Sequence, residues 1–287
     1  MSGDSIIEAK GLVKRFGERT AVDHIDLSVE RGEIFGFLGP NGAGKTTTVR
    51  LLSSLAKIDE GTVTVDGHDL IREPSAAKGC MGVIQQHISL DKDLTVRENM
   101  MHHAMMHKVP RAERKRKMDE LVRYVGLEEY LDKMVDTLSG GWKRRVAIVC
   151  ALFHDPKILF LDEPTAGLDI QARRMLWDLI RKLNRDGTTV FLTTHYIEEA
   201  ESLCDRVGII DHGRIITVDT PTNLCEQVGS AAVEYYCDDE GTRYEYFRSM
   251  ADAKEFVSTL GDRYTVLIRR TNLEDCFVRL TGSSVRD

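Results

Sequence analysis

Apolar positions fall into short runs separated by stretches of helical spacing. Ile34, Phe35, Phe37 and Leu38 form one such run, the mark of a buried strand. Residues 45–52 follow with Val49, Leu51 and Leu52 apolar at helical spacing. Residues 157–162 and 188–194 are two further buried strands. Between them Met175, Leu176, Leu179, Ile180 and Leu183 share one face of a long helix starting at Asp169. These alternations predict an α/β core. Residues 5–16 and 21–29 read instead as an antiparallel arm, joined at Gly17-Glu18-Arg19, with partial alternation at Val22, Ile25, Leu27 and Val29. Residues 61–67 form a short strand closed by the turn pair Asp66-Gly67, and residues 82–86 a second short run ending in two amides.

From about residue 94 to 135 strand signals give way to helix formers, predicting helices over 96–106, 111–125 and 128–134, with Pro110 in the first turn of the second. A helix is expected over 142–153 and a final core hairpin over 207–218. From residue 224 the pattern predicts strands over 231–237, 242–247 and 264–270 and helices over 251–260 and 273–280. The expected organisation is therefore a domain of residues 1–223 with a helical insert at about 94–135, followed by a small α+β unit over 224–287.

The chemistry concentrates where the strands end. Gly39-Pro40-Asn41-Gly42-Ala43-Gly44-Lys45-Thr46 fits G-x-x-x-x-G-K-[ST] between a strand and a helix. Glycines let backbone N–H groups close on phosphate oxygens, and the helix N-terminus adds partial positive charge. Lys45 is expected to reach the β- and γ-phosphates and the Thr46 hydroxyl to bind Mg²⁺. Ser139-Gly140-Gly141 opens a helix and forms a second anion site. Asp162 ends a buried strand and suits Mg²⁺, while Glu163, one residue on, points elsewhere and can polarise a water. An amide at the end of the 82–86 run, Gln85 or Gln86, can hold a metal or water or simply begin a polar loop, and His195 closes the strand after the Asp-Glu strand. Phe16, at the arm's tip, either stacks on a nucleotide base or packs in its loop.

Two other groupings have plainer readings. His102, His103 and His107, the last two at i,i+4, lie among Met100, Met101, Met105 and Met106; a soft-metal site is one reading, core packing by Met the simpler one. The basic run Arg111, Arg114, Lys115, Arg116 and Lys117 reads as a solvated helix face rather than a contact with anionic lipid.

Composition adds limits. A net charge of −7 argues against nucleic acid as the main ligand. No apolar run approaches a transmembrane helix, and the N-terminus lacks a basic region followed by an apolar stretch, so no signal peptide is expected. Six scattered cysteines without a C-x-x-C pair fit reduced thiols in a cytosolic protein.

The ordered set of motifs resembles the nucleotide-binding subunit of ATP-binding cassette transporters over roughly residues 5–222. GPNGAGKTT looks like its Walker A loop, LSGG its signature, ILFLDEP its Walker B strand, AGLD its D-loop and His195 its switch histidine. MGVIQQ and LTVREN align Gln86 with the Q-loop glutamine, and Phe16 takes the place of the base-stacking aromatic. Trp142 stands where the family usually has Gln. The tail TNLEDCFVRLTG is similar to that of the exporter branch for drugs, polysaccharides and related cargo. The resemblance implies ATP hydrolysis with Mg²⁺ at the cytoplasmic face of the cell membrane, powering a separately encoded transmembrane permease. It also implies a homodimer with two shared sites. Lys45, Thr46, Thr47, Gln86, Asp162, Glu163 and His195 come from one subunit, and Ser139, Gly140 and Gly141 from the other. A soluble non-transport cassette ATPase and a nucleotide-dependent regulator are the alternatives.

Overall fold

The computed structural model describes residues 4–237, 241–261 and 263–281. Residues 1–3 and 282–287 of the expected units therefore lie outside the described residues. An antiparallel arm opens the chain: β1 (Ser5–Phe16), β2 (Arg19–Glu30), β4 (Glu60–Val65) and β5 (His68–Asp69) form one sheet in the order β2-β1-β4-β5. β4 and β5 are joined at Asp66-Gly67, both with positive φ. The main sheet joins β3 (Ile34–Leu38), β6 (Met81–Ile84), β7 (Ile158–Asp162), β8 (Thr189–Thr194), β9 (Arg206–Asp211) and β10 (Arg214–Asp219), in the order β10-β9-β3-β8-β7-β6. All of its neighbouring strands are parallel except the β9–β10 hairpin.

The period of two along these strands divides the core. Ile34, Leu38, Leu159, Leu161, Val190 and Leu192 face a cluster built with the helices. Phe35, Phe37, Phe160 and Phe191 face the arm, with Phe35 and Phe191 stacked at 5.5 Å. Both faces of the sheet are thus covered, which is why its strands read as unbroken apolar runs. Helices α1 (Lys45–Leu52), α2 (Pro74–Gly79), α3 (Val96–Met106), α4 (Arg111–Val125), α5 (Gly140–Leu152), α6 (Ile170–Arg185) and α7 (Ile197–Leu203) complete this body. Among the described residues, no helix is long and apolar enough to cross a membrane.

In the insert, α3 begins on a capping box between Thr95 and Glu98, and α4 ends at Gly126 in the left-handed region. The helix expected over 128–134 is only a 3₁₀ turn, Glu128–Tyr130. The chain turns at once, Lys133 N donating to Tyr130 O, so that Thr95 and Met134 can pair. Pro110 sits at the N-cap of α4, one residue before the expected first turn. Within the basic run, Lys117 donates to Phe153 O (3.2 Å) and meets Asp155, while Arg114 Nε donates to Val109 O. Those two therefore brace the insert, and Arg111, Lys115 and Arg116 remain exposed.

Of the methionines there, Met100 is buried while Met105 and Met106 are exposed. His107 stacks on His154, ring centroids 4.0 Å apart, in a groove also lined by His103. Burial, and then the neighbouring rings of His154 and His103, push His107 down from 6.5 to about 4. The folded state thus prefers neutral imidazole, while the unfolded chain takes up its proton at higher pH. This group's effect is to destabilise the fold as pH falls below about 6.5, levelling off near 4. Denaturation midpoints at pH 7 and pH 5 are expected to differ less for His107→Gln than for the unsubstituted chain; an equal difference refutes the assignment.

The C-terminal part comprises α8 (Pro221–Val228), β11 (Ala231–Cys237), β12 (Gly241–Phe247), α9 (Met250–Thr259), β13 (Thr265–Arg269) and α10 (Leu273–Thr281). The division expected between residues 223 and 224 falls inside α8. Leu224 and Val228 of α8 and Leu273, Cys276 and Phe277 of α10 belong to the large core cluster. Only the antiparallel sheet β12-β11-β13 with α9 has a separate small core, built on Ala231, Val233, Tyr235 and Ala253. Its two ends meet, the Thr271 hydroxyl donating to Gly229 O at 2.5 Å.

Candidate functional site

Parallel strands offer their carboxyl ends to one edge of the sheet, where ligands of α/β folds bind. Three of those ends, from adjacent strands β3, β8 and β7, carry the chemistry. After β3 the glycine loop turns into α1, with Gly44 at the N-cap at φ 110°. A Cβ on Gly44 would lie 2.5 Å from Ala21 O, and one on Gly39 2.3 Å from Ile210 O, so neither position accepts a side chain. Lys45 is buried and crosses the loop, its Nζ donating to Gly39 O (2.8 Å) and Pro40 O (3.0 Å) and lying 3.3 Å from Glu163 Oε1. Burial pushes the Lys45 ammonium below its ordinary range, opposed by the charges of Glu163 and Asp162.

Asp162, the last residue of β7, accepts from Thr46 Oγ1 (3.1 Å) and from Thr193 Oγ1 (2.6 Å). Glu163 follows at φ 47°, a left-handed conformation uncommon for a non-glycine residue. Its N–H is held between Thr193 O (3.1 Å) and Thr193 Oγ1 (3.0 Å). This turn sends the Glu163 side chain away from Asp162 and into the cavity. There Gln86 Nε2 donates to Glu163 Oε2 (3.2 Å); His195 Nδ1 lies 3.3 Å from Oε1 without hydrogen-bond alignment, and the His195 ring lines a separate groove with Arg173 and Tyr196. A buried strained residue gripped from three sides is a common mark of a working site.

The cavity, about 480 Å³, is lined by Phe16, Arg19, Asn41, Gly42, Gly44, Lys45, Thr46, Thr47, Gln86 and Glu163, among others. Phe16 is exposed at the hairpin tip above it. Gln86 lines this cavity, whereas Gln85 lines the histidine groove. Gly39, Pro40 and Ala43 belong to the same loop but do not line the cavity. Ser139, Gly140 and Gly141 are not among the lining residues. Ser139 does occupy the N-cap of α5, but its side chain caps no backbone N–H, contrary to the usual use of such a residue. Its hydroxyl is exposed.

Sequence reasoning missed three participants. Thr193 bridges the two carboxylate residues from β8; only its place beside His195 could have pointed to it. Arg19 donates to Gly42 O (3.0 Å) and so fastens the arm to the loop. Arg144, buried on α5, donates to Gln85 O and Gln86 O (3.0 and 3.1 Å), tying the helix after Ser139 to the segment carrying Gln86. Trp142 is occupied within its own chain: it stacks on Tyr130 (4.1 Å) and carries Arg145 over its ring (4.8 Å).

A glycine loop at a helix N-terminus, with lysine, hydroxyl and paired carboxylates gathered at adjoining strand ends, defines a P-loop nucleotide hydrolase. The family model described as "ABC transporter" matches residues 22–166. The Nod factor export ATP-binding protein I of Ralstonia nicotianae is 40% identical over 308 residues, spanning 98% of this chain and 95% of that protein. The linearmycin resistance ATP-binding protein LnrL of Bacillus subtilis is 42% identical over 228 residues, 79% of this chain and 73% of that one. Among solved structures, the dimeric ATP-binding cassette MJ0796 bound to ADP and Pi superposes with a TM-score of 0.68 at 28% identity, covering 75% of this chain and 98% of that one. The chain belongs to the ABC transporter family and is an ATP-hydrolysing subunit of the export type.

Proposed function

We propose that two copies of this chain close head to tail on two ATP molecules and drive export through a separate permease at the cytoplasmic face of the cell membrane. The observation that carries this reading is the division of the anion-binding chemistry. The cavity holds Lys45, Thr46, Thr47, Gln86 and Glu163, while the exposed Ser139 hydroxyl and the α5 N-terminus lie outside it. A second copy can supply that second half. The relatives are named for export and for resistance, and we assign the transport path to a permease on that ground.

Within each site Lys45 binds the β- and γ-phosphates, and the loop N–H groups the remaining oxygens. Thr46 Oγ1 and Asp162 Oδ1, hard oxygen donors 3.1 Å apart, with Gln86 nearby, suit Mg²⁺. Mg²⁺ held there would neutralise phosphate charge during transfer. Glu163 takes the proton of the attacking water, and His195 and Gln86 keep its carboxylate aimed. Phe16 stacks on the base. The small sheet with α9 stabilises the dimer or regulates its closure.

The test uses Glu163→Gln protein, in which ATP is expected to convert monomer to dimer on size-exclusion chromatography. Adding Ser139→Arg should abolish the shift. Adding Trp142→Gln should preserve it while costing about 1–2 kcal/mol of stability, through loss of the Tyr130 stack and the Arg145 contact. Normal dimerisation of the Ser139→Arg protein would overturn the shared site, and loss of dimerisation with Trp142→Gln alone would assign the trans contact to Trp142.

A further inference from the structure

Behind the catalytic carboxylate lies a second acidic side chain that the site does not use. Glu199, on α7, is completely buried. Burial raises its carboxyl above the ordinary range, against the pull of the Thr194 and Thr165 hydroxyls, the Trp177 indole and the Arg173 charge. A carboxylate in so dry a position is destabilising unless something pairs with it.

Its surroundings show what that is. Trp177 Nε1, from the buried face of α6, donates to Glu199 Oε1 at 2.9 Å. Thr165, also fully buried, belongs to the turn that runs from Glu163 to the start of α6. Its hydroxyl lies against the same carboxylate out of alignment, and Thr165 Oγ1 and Glu199 Oε2 both lack a hydrogen-bond partner. On the other side, Thr194 ends β8 immediately before His195, and its Oγ1 accepts from Tyr196 N (2.9 Å) at the N-cap of α7. His195 Nδ1 and Arg173 Nε are likewise buried without an aligned partner, and Arg173 lies over the Tyr196 ring at 4.3 Å. Unsatisfied donors and acceptors therefore collect in one place, between the turn after Glu163 and the segment carrying His195.

Deep burial makes such unpaired atoms costly, so a small shift that brings Thr165 onto Glu199 is favoured. That shift would move the Glu163 turn relative to α7, and α7 begins two residues after His195. We propose that Glu199 is a positioning residue that makes the turn after Glu163 and the His195 segment move as one body, with Trp177 as its fixed anchor on α6. It touches neither nucleotide nor water. The inference rests on the roles given above to Glu163 and His195.

The measurement is ATP turnover and equilibrium ATP binding by the full-length chain. His195→Ala serves as the control for the underlying reading: if it leaves kcat unchanged, that reading fails and not this one. Given an active control response, Glu199→Ala is expected to lower kcat about 10- to 100-fold, as small misplacements of reacting groups do, with the Kd for ATP within about twofold of the starting value, less than the RT scale separates. Glu199→Gln, which can still accept from Trp177 and donate to Thr165, should recover most of the loss. Should Glu199→Ala not fold, Thr165→Val and Trp177→Phe remove two of its three donors singly and should show the same kcat-selective loss. Unchanged kcat in folded protein, or kcat and ATP affinity lost in equal proportion, would overturn the proposal.

Discussion

Glu163→Gln is expected to bind ATP and barely hydrolyse it. Removing a positioned general base costs about 10²- to 10⁴-fold in rate, and the geometry gives glutamine little else to disturb. The amide has the size of the carboxylate and can still accept from Gln86 Nε2, which lies 3.2 Å from Oε2. The backbone turn is held by Thr193, not by the side chain. What disappears is the charge facing Lys45 Nζ at 3.3 Å and the capacity to take a proton. Loss of that charge also removes a repulsion from incoming phosphate, so ATP affinity should be unchanged or higher. Turnover assays beside equilibrium nucleotide binding decide the matter. Near-normal turnover would remove Glu163 from the role of base and leave its strained backbone without a catalytic reason.

The ease of reading this site from sequence follows from where its residues sit. Each side chain proposed for catalysis lies just past a strand whose apolar run is continuous because both sheet faces are covered: Lys45 after β3, Glu163 after β7, His195 after β8. Helices α3 and α4 are legible as long stretches of helix formers, whereas the capping box and the left-handed glycine that bound them emerge from the structure. Other features could not be read so. The sheet order places β8 between β3 and β7, although β8 follows both in the chain. No local pattern announces that order, and the Thr193 bridge depends on it. α2 and α7, 6 and 7 residues long, span fewer than two helical turns, too little for the apolar repeat to recur. α8 is also short, though Pro221 at its first position and Thr220 at its cap were available signs. The return of α10 to the large core is equally invisible, because Leu273, Cys276 and Phe277 show only that one face is apolar, not which surface covers it.

That return determines how the C-terminal part can be removed. Truncation after Leu224 is expected to destabilise the ATPase body severely. It deletes Val228, Leu273 and Phe277, all buried in the large cluster, and leaves Leu224 exposed. Full burial of such side chains contributes roughly 1.5–3 kcal/mol each, so the three together represent about 5–9 kcal/mol. That is comparable to the ~5–15 kcal/mol stability of an ordinary domain. Excising residues 231–269 instead should spare the body. The small sheet keeps its own core, and its ends already meet where Thr271 bonds to Gly229 O, so a short glycine-serine linker can close the gap. The excision also removes Tyr246 of β12, which packs on the large cluster and bonds to Asp275, and the charge of Asp275 needs compensation. Arg269 makes two hydrogen bonds to the buried Asp275, at 2.6 and 2.8 Å, and its removal would strand that carboxylate at a cost of about 3–5 kcal/mol. Asp275→Asn in the excised chain removes the stranded charge while keeping an acceptor for Asn272 N, which donates to Asp275 Oδ2 at 2.9 Å. The excised protein should melt cooperatively and bind ATP like the full chain, whereas the truncated one should melt far lower or aggregate. In the Glu163→Gln background the excised protein should also dimerise at higher protein concentration if the small sheet stabilises the closed pair. Equal melting of the truncated and full-length chains would show that α8 and α10 contribute nothing to the core. Equal dimerisation of the excised and full-length chains would leave the small sheet no part in holding the dimer.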